Sequence, residues 1–131
     1  MRYLLDTNIC IALIKGVPSI REKILAVGFA NCLVADITIA ELYYGAAKSE
    51  RPEHFDDVDF IVQHFEMLSI DPALESYGCL KYELEKQGLP LDDFDLLIGA
   101  VAKCFDLTMV THNPRHFLRI PGLVVEDWIG S

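Results

Sequence analysis

A single α/β domain built on a mostly parallel sheet is the fold class this sequence predicts, on three observations. Short apolar segments rich in β-formers alternate with longer segments of helical period, the pattern of a chain that crosses over between parallel strands. Its 131 residues suit one domain with one proper core. No repeat, low-complexity tract or linker divides the chain, so residues 1–131 read as one unit.

The elements follow in order. Tyr3–Leu5 is a short strand that stops at Asp6, after which Thr7 or Asn8 caps a helix through Lys15. Pro18 opens a second helix to Val27. Cys32–Ala35 is the next strand, and Thr38 precedes the helical segment "IAELYYGAAKS", with the S/T-x-x-E spacing of a capping box between Thr38 and Glu41. Residues 53–65 form a further helix and Met67–Ile70 a strand. Asp71-Pro72 reads as an N-cap followed by Pro at the first helical position, with Gly88 as the stop. A helix over 93–105, a strand at Leu107–Thr111, a turn at "HNPRHF" and a strand at Leu123–Glu126 complete the chain.

Composition narrows the function. Twenty acids face 11 bases, for a net charge of −9, which argues against nonspecific nucleic-acid binding through a broad basic face. A nucleic-acid enzyme survives this test, because bound divalent cations reverse the sign of a local site. Part of the excess is confined to "ERPEHFDDVD" (50–59), which reads as a solvated helix face. There is no long uncharged apolar run to span a membrane, and the N-terminus has neither the h-region nor the cleavage site of a signal peptide, so a soluble cytoplasmic protein is expected. Cys10, Cys32, Cys79 and Cys104 form no C-x-x-C pair and are expected to be buried, inert thiols.

The placement of the acids is more telling. Asp6 ends the first strand, Glu41 lies in the first turn of the helix after the second, and Asp95 opens the helix before the fourth. In an open parallel sheet, carboxyl ends of strands and starts of helices share the edge where ligands bind. A helix N-terminus excuses one acid there. Several converging acids repel one another unless a hard cation such as Mg²⁺ or Mn²⁺ neutralises them. Such ions clamp phosphates and activate water for in-line attack. The spacing by itself leaves this reading and simple helix capping both open.

Four blocks then become familiar together: "YLLDTNICIALIK" at the N-terminus, "ITIAELYYGAAKS" at 37–49, "DLLIGAVA" at 95–102 and "VTHNPRHFLRIPGLVVEDW" at 110–128. In order and separation the chain resembles a PIN-domain ribonuclease of the VapC toxin type. The resemblance implies a small Rossmann-like, three-layer α/β/α core and a Mg²⁺-dependent endoribonuclease, with Mn²⁺ as a substitute ion. It implies structured RNA, chiefly tRNA or rRNA loops, as substrate. It also implies a VapB-type antitoxin that carries any operator-DNA binding, and a homodimer. The family's three acids match Asp6, Glu41 and Asp95, and Asn8 would support the site by hydrogen bonding, with Thr7 and Thr111 beside it. The fourth acid of many PIN domains falls on Asn113, which keeps an acceptor oxygen without the charge; relatives of the VapC type also carry Asn there. Asp92 and Asp93 stand where relatives usually have Gly-Pro or Gly-Asn.

Other residues have plainer roles open to them. Asp92 and Asp93 suit a helix cap and a first-turn acid, with Asp93 also a candidate accessory metal ligand where this chain departs from its relatives, and Asn113 a candidate accessory ligand at the position of the family's fourth acid. His112 and His116 have the spacing of a helical zinc pair, but Pro114 between them breaks the helix. Arg115 and Arg119 are candidate RNA phosphate contacts, with structural ion pairing as the alternative. Tyr43, Tyr44 and Trp128 suit packing better than base stacking. A phospho-receiver domain is excluded because "LLDTN" supplies one acid, not two, and no Lys follows Lys103. A haloacid-dehalogenase phosphatase is excluded because residues 6–8 read Asp-Thr-Asn rather than D-x-D. The remaining rival is a catalytically weak PIN module that binds RNA and its antitoxin without turnover.

Overall fold

The computed structural model describes residues 1–129. Its five strands are β1 (Tyr3–Leu5), β2 (Cys32–Ala35), β3 (Glu66–Leu68), β4 (Thr108–Val110) and β5 (Val125–Glu126). They form one sheet in the order β3-β2-β1-β4-β5, and every pairing is parallel. Tyr3 lies opposite Cys32 on one side and Thr108 on the other, so all carboxyl ends emerge along one edge. The strand order reverses between β1 and β4, which opens a crevice beyond those two carboxyl ends.

Alternation along the central strands sends neighbouring side chains into two separate cores. Leu5, Val34 and Val110 join one cluster with Ile9, Ile20, Ile39 and Ile61. Leu4, Leu33 and Met109 join the other with Leu84, Leu96, Ile98 and Phe117. Both sheet faces are thus covered, as a parallel sheet requires. The first face carries α1 (Thr7–Ile14), α2 (Pro18–Val27), α3 (Asp36–Ser49) and α4 (Glu53–His64). The second carries α5 (Leu74–Lys86), α6 (Asp93–Cys104) and α7 (Pro114–Phe117). This is the three-layer α/β/α arrangement that the sequence implied.

Several boundaries differ from expectation, for physical reasons. Helix α3 starts at Asp36, with Ala35 as an N-cap that has no side-chain hydrogen bond. Thr38 therefore lies inside the helix, fully buried, and makes no capping box; among the described residues its hydroxyl has no partner. Burial against the sheet has overridden a local capping preference. Asp71 opens a single 3-10 turn (Asp71–Ala73) ahead of α5 without capping through its side chain, and Gly88 ends that helix with φ 71°. The "HNPRHF" turn contains the short helix α7, with Pro114 in its first turn. Cys10 and Cys32 are buried, whereas Cys79 and Cys104 are exposed, so the expectation of four buried thiols fails for two of them. Trp128 closes the first core against Tyr3, with ring centroids 5.1 Å apart. Among the described residues, no helix is long and apolar enough to cross a membrane.

The seat of α7 is specific. Phe117 and Ile120 are buried against α6 at Gly99, where an added Cβ would collide with Ile120 Cδ1 and crowd Phe117 Cδ1 at 3.3 Å. Phe117→Ala is expected to lower stability by about 3–5 kcal/mol in urea denaturation. Leu118→Ala, at a neighbour that is 62% exposed, is expected to stay within about 0.5 kcal/mol. Equal effects at the two positions would contradict this packing.

Candidate functional site

The acids named from sequence converge at the crevice between β1 and β4. Asp6 ends β1 and caps α1 with extended backbone (φ −67°, ψ 160°). Only 4% exposed, its carboxylate accepts the Thr7 backbone N–H at 2.8 Å on Oδ1 and the Thr111 hydroxyl at 2.8 Å on Oδ2. The Thr7 hydroxyl in turn donates to Glu41 Oε1 at 2.7 Å. One residue therefore holds two acids, Asp6 through its amide and Glu41 through its side chain. Glu41 is the sixth residue of α3, one turn further along than expected, because the helix begins at Asp36.

Asp95 is the third residue of α6. The helix is capped by Asp92, which accepts the Phe94 N–H at 3.1 Å and the Asp95 N–H at 3.5 Å. Asp93 turns to α5, where its Oδ1 accepts from the Tyr77 hydroxyl at 2.9 Å and from Lys81 Nζ at 3.0 Å. Asp92 caps the helix, as its position suggested, and the charge of Asp95 reaches Asp6 and Glu41; Asp93, expected as an accessory metal ligand, is instead engaged by Lys81 and Tyr77 on α5.

Electrostatics reports the crowding. Burial first, then the charges of Asp95 and Glu41, push the Asp6 carboxyl up from the ordinary 3.8 to about 6, even though the Thr111 and Thr7 hydrogen bonds pull it down. Glu41 is raised by its own burial and by the charges of Asp95 and Asp92, against the Thr7 bond. Asp95 is raised by burial and by Asp92, against the contact from His116. Each acid thus sits in the field of another, with few donors to offset it.

That donor set fits a hard divalent cation. The three side chains offer only carboxylate oxygen, the chemistry that Mg²⁺ and Mn²⁺ select. Each Asp6 oxygen accepts one hydrogen bond and keeps a lone pair, while among the described residues Glu41 Oε2 and Asp95 Oδ1 take no hydrogen bond. Among the described residues, no three His, Cys, Asp or Glu side chains already close into a metal-binding group. A cation there would have to draw the carboxylates together, and the relief of their repulsion favours it.

The remaining candidates fall into place unevenly. Thr111 is fully buried and accepts the Asn113 backbone N–H at 3.0 Å while donating to Asp6, so the turn after β4 is tied to the first acid. Asn8 is exposed and its side chain makes no hydrogen bond among the described residues; the hydrogen bonds to Asp6 and Glu41 come from Thr7 and Thr111. The Asn113 side chain is likewise exposed. Arg115 and Arg119 line a shallow pocket of ≈ 420 Å³ with His112 and His116, and Arg119 Nη1 donates to the Pro90 carbonyl at 2.7 Å. His112 lies outside α7 and pairs with Asp127 at 3.4 Å, so it forms no helical metal pair with His116. Sequence reasoning missed the approach of His116 Nδ1 to Asp95 Oδ2 at 3.5 Å. Those two residues lie 21 positions apart, and no periodic signal links them.

A five-stranded parallel α/β domain with three crowded carboxylates at its switch point belongs to the class of open parallel α/β folds, which bind their ligands at that crevice. The match to known proteins makes this specific. The PIN-domain family model matches residues 3–123, and the chain belongs to that family. It is 38% identical over 131 residues to the tRNA(fMet)-specific endonuclease VapC of Shigella flexneri, covering 98% of each chain. Its fold is similar to that in the VapBC2 structure from Rickettsia felis bound to a promoter DNA fragment, with a TM-score of 0.91, 35% identity and coverage of 98% and 99% of the two chains. It is equally similar to the DNA-bound VapBC from Salmonella typhimurium, with a TM-score of 0.91, 37% identity and 98% of each chain covered.

A raised Asp6 pKa has a defined consequence for stability. The folded chain holds that proton more tightly than the unfolded chain does, so stability falls as pH rises from about 4 to about 6 and levels off above. In metal-free buffer at pH 7.5, Asp6→Asn is expected to be more stable than the wild type by on the order of 2–3 kcal/mol. That lead should shrink to nothing by about pH 4. Denaturation curves in EDTA across this range check it, and a variant less stable at pH 7.5 would contradict it.

Proposed function

We propose that the protein is a Mg²⁺-dependent endoribonuclease of the VapC type, with Mn²⁺ as a substitute ion, that acts in the cytoplasm on structured RNA. The observation that carries this reading is the convergence of Asp6, Glu41 and Asp95 at the β1/β4 crevice, with Asp6 and Glu41 coupled through Thr7. Transfer RNA is the favoured substrate, in line with the name of the Shigella flexneri relative, and an rRNA loop is the second choice.

In this reading Asp6, Glu41 and Asp95 hold the ion directly or through water, with Asn113 as a neutral oxygen at the rim. The bound cation supplies a water of lowered pKa and offsets charge that develops on the phosphate. Thr7 and Thr111 keep the acids aligned at the crevice. Arg115 and the free N–H groups of Arg119 contact backbone phosphates next to the scissile bond. Attack by water leaves a 5′-phosphate and a 3′-hydroxyl.

A VapB-type antitoxin inhibits the enzyme. A groove of ≈ 270 Å³ between α1, α3 and α4 runs from apolar Leu42 and Val58 to Glu41, and it offers an antitoxin segment an apolar seat that ends at a carboxylate. With a net charge of −9 the toxin leaves operator DNA to its antitoxin. The active form on this reading is a homodimer.

The test is incubation of the purified protein with total tRNA and rRNA in Mg²⁺, in Mn²⁺ and in EDTA. Discrete cuts are expected with either ion and none with EDTA. Asp6→Ala, Glu41→Ala and Asp95→Ala should each lose at least about 100-fold in rate while circular dichroism shows a folded chain. Cuts retained by a folded Asp95→Ala variant would refute the assignment. No cuts by the wild type under any condition would favour the binding-only module, whose motivation is the uncharged Asn113.

A further inference from the structure

The nuclease reading leaves His116 without a role, yet its surroundings are specific. Segment 114–120 lies along α6 with two matched contacts. Asp95 and Gly99 are four residues apart and share one face of α6. His116 and Ile120 are four apart on the opposing segment, which continues in turns beyond α7 through the bonds from Arg119 N to His116 O and from Ile120 N to Phe117 O. Ile120 packs into the space left by the missing Cβ of Gly99, and His116 Nδ1 stands 3.5 Å from Asp95 Oδ2 one turn away. Arg119 adds a third tie, donating at 2.7 Å to the Pro90 carbonyl in the segment that leads into α6.

The same stretch of chain also grips the first acid. The Asn113 N–H donates to Thr111 Oγ1, and the Thr111 hydroxyl donates to Asp6 Oδ2. Residues 111–120 therefore touch both Asp6 and Asp95, two acids that come from different strands and helices. The buried Phe117 and Ile120 fix this segment in place, while the His116 side chain is about half exposed. That combination suits an orienting contact on a solid footing better than a core side chain.

We propose that His116 is a positioning residue: its Nδ1–H holds the Asp95 carboxylate in one orientation at the crevice, ahead of any cation, as part of a clamp over residues 111–120 that sets Asp95 relative to Asp6. The inference rests on the proposed metal-dependent nuclease, since it concerns the same site. A ligating carboxylate that is itself oriented by a partner binds its ion more tightly, and losing such a partner typically weakens metal affinity by about 10–100-fold.

The experiment is calorimetric titration of the metal-free protein with Mn²⁺ alone, for wild type, His116→Ala and His116→Asn, alongside urea denaturation and RNA cleavage kinetics. Asn places its amide nitrogen close to the position of the imidazole Nδ1. His116→Ala is expected to weaken Mn²⁺ binding by about 10-fold or more, with unchanged unfolding and an unchanged KM for RNA. Its cleavage rate should recover as Mn²⁺ is raised. His116→Asn should restore most of the affinity. Unchanged Mn²⁺ affinity in His116→Ala overturns the proposal, and so does a rise in RNA KM at wild-type metal affinity, which would make His116 an RNA contact. Failure of the two readings separates cleanly. A wild type that binds Mn²⁺ in a His116-dependent way but cuts no RNA removes the nuclease and keeps the positioning role. A wild type that cuts RNA with His116 indifferent to Mn²⁺ removes the positioning role alone, and a wild type that binds no Mn²⁺ overturns both.

Discussion

The repulsion among Asp6, Glu41 and Asp95 is the constraint on which the rest of this structure depends. A carboxylate that is 4% exposed and pushed to about 6 is a standing liability to the fold. The chain accepts it by enclosing the site in a rigid frame. Leu4 and Leu5 anchor β1 in opposite cores, Thr7 and Thr111 supply the donors, and the apolar face of α6 fixes the helix that carries Asp95. Stability given up at a site in this way is a common mark of function. The same repulsion becomes attraction for a divalent cation, and so links the fold to the chemistry proposed for it.

The topology explains why these three acids meet. In the order β3-β2-β1-β4-β5 the chain leaves β1 in one direction for β2 and reaches β4 on the other side, so the crevice falls between the carboxyl ends of β1 and β4. Asp6 and Thr111 follow those two strands directly. Glu41 arrives from the helix after β2, and Asp95 from the helix before β4. Several acids elsewhere have ordinary partners: Asp93 binds Lys81, Glu66 pairs with Arg2, and Asp59 accepts from Tyr43. Net charge is therefore a poor guide to this protein, and placement relative to the strand ends a good one.

Much of this was legible in the sequence. Tyr3–Leu5, Pro18–Val27 and Cys32–Ala35 are bounded as read, because a charge, a proline and a continuous apolar run mark their limits. The start of α3 was not legible, because Thr38 carries a capping signal that burial overrules, and no Gly or Pro marks the true junction at Asp36. The rule that strand ends and helix starts share one edge of a parallel sheet singled out Asp6, Glu41 and Asp95 as candidates. The hydrogen bonds that hold them did not show: Thr111 meets Asp6 across 105 positions and His116 meets Asp95 across 21, and neither separation has a period. Asn8, two residues after the first acid, is exposed, and it is Thr7 that hydrogen-bonds to Asp6 and Glu41.

The central claim, that three carboxylates at the switch point form one cation site, is most directly tested by anomalous diffraction from crystals of the protein soaked in Mn²⁺. The expected result is a Mn²⁺ peak in the crevice that Asp6, Glu41 and Asp95 would hold through carboxylate oxygens, directly or through water. An empty crevice at saturating Mn²⁺, or a peak elsewhere with these three side chains unmoved, would contradict it.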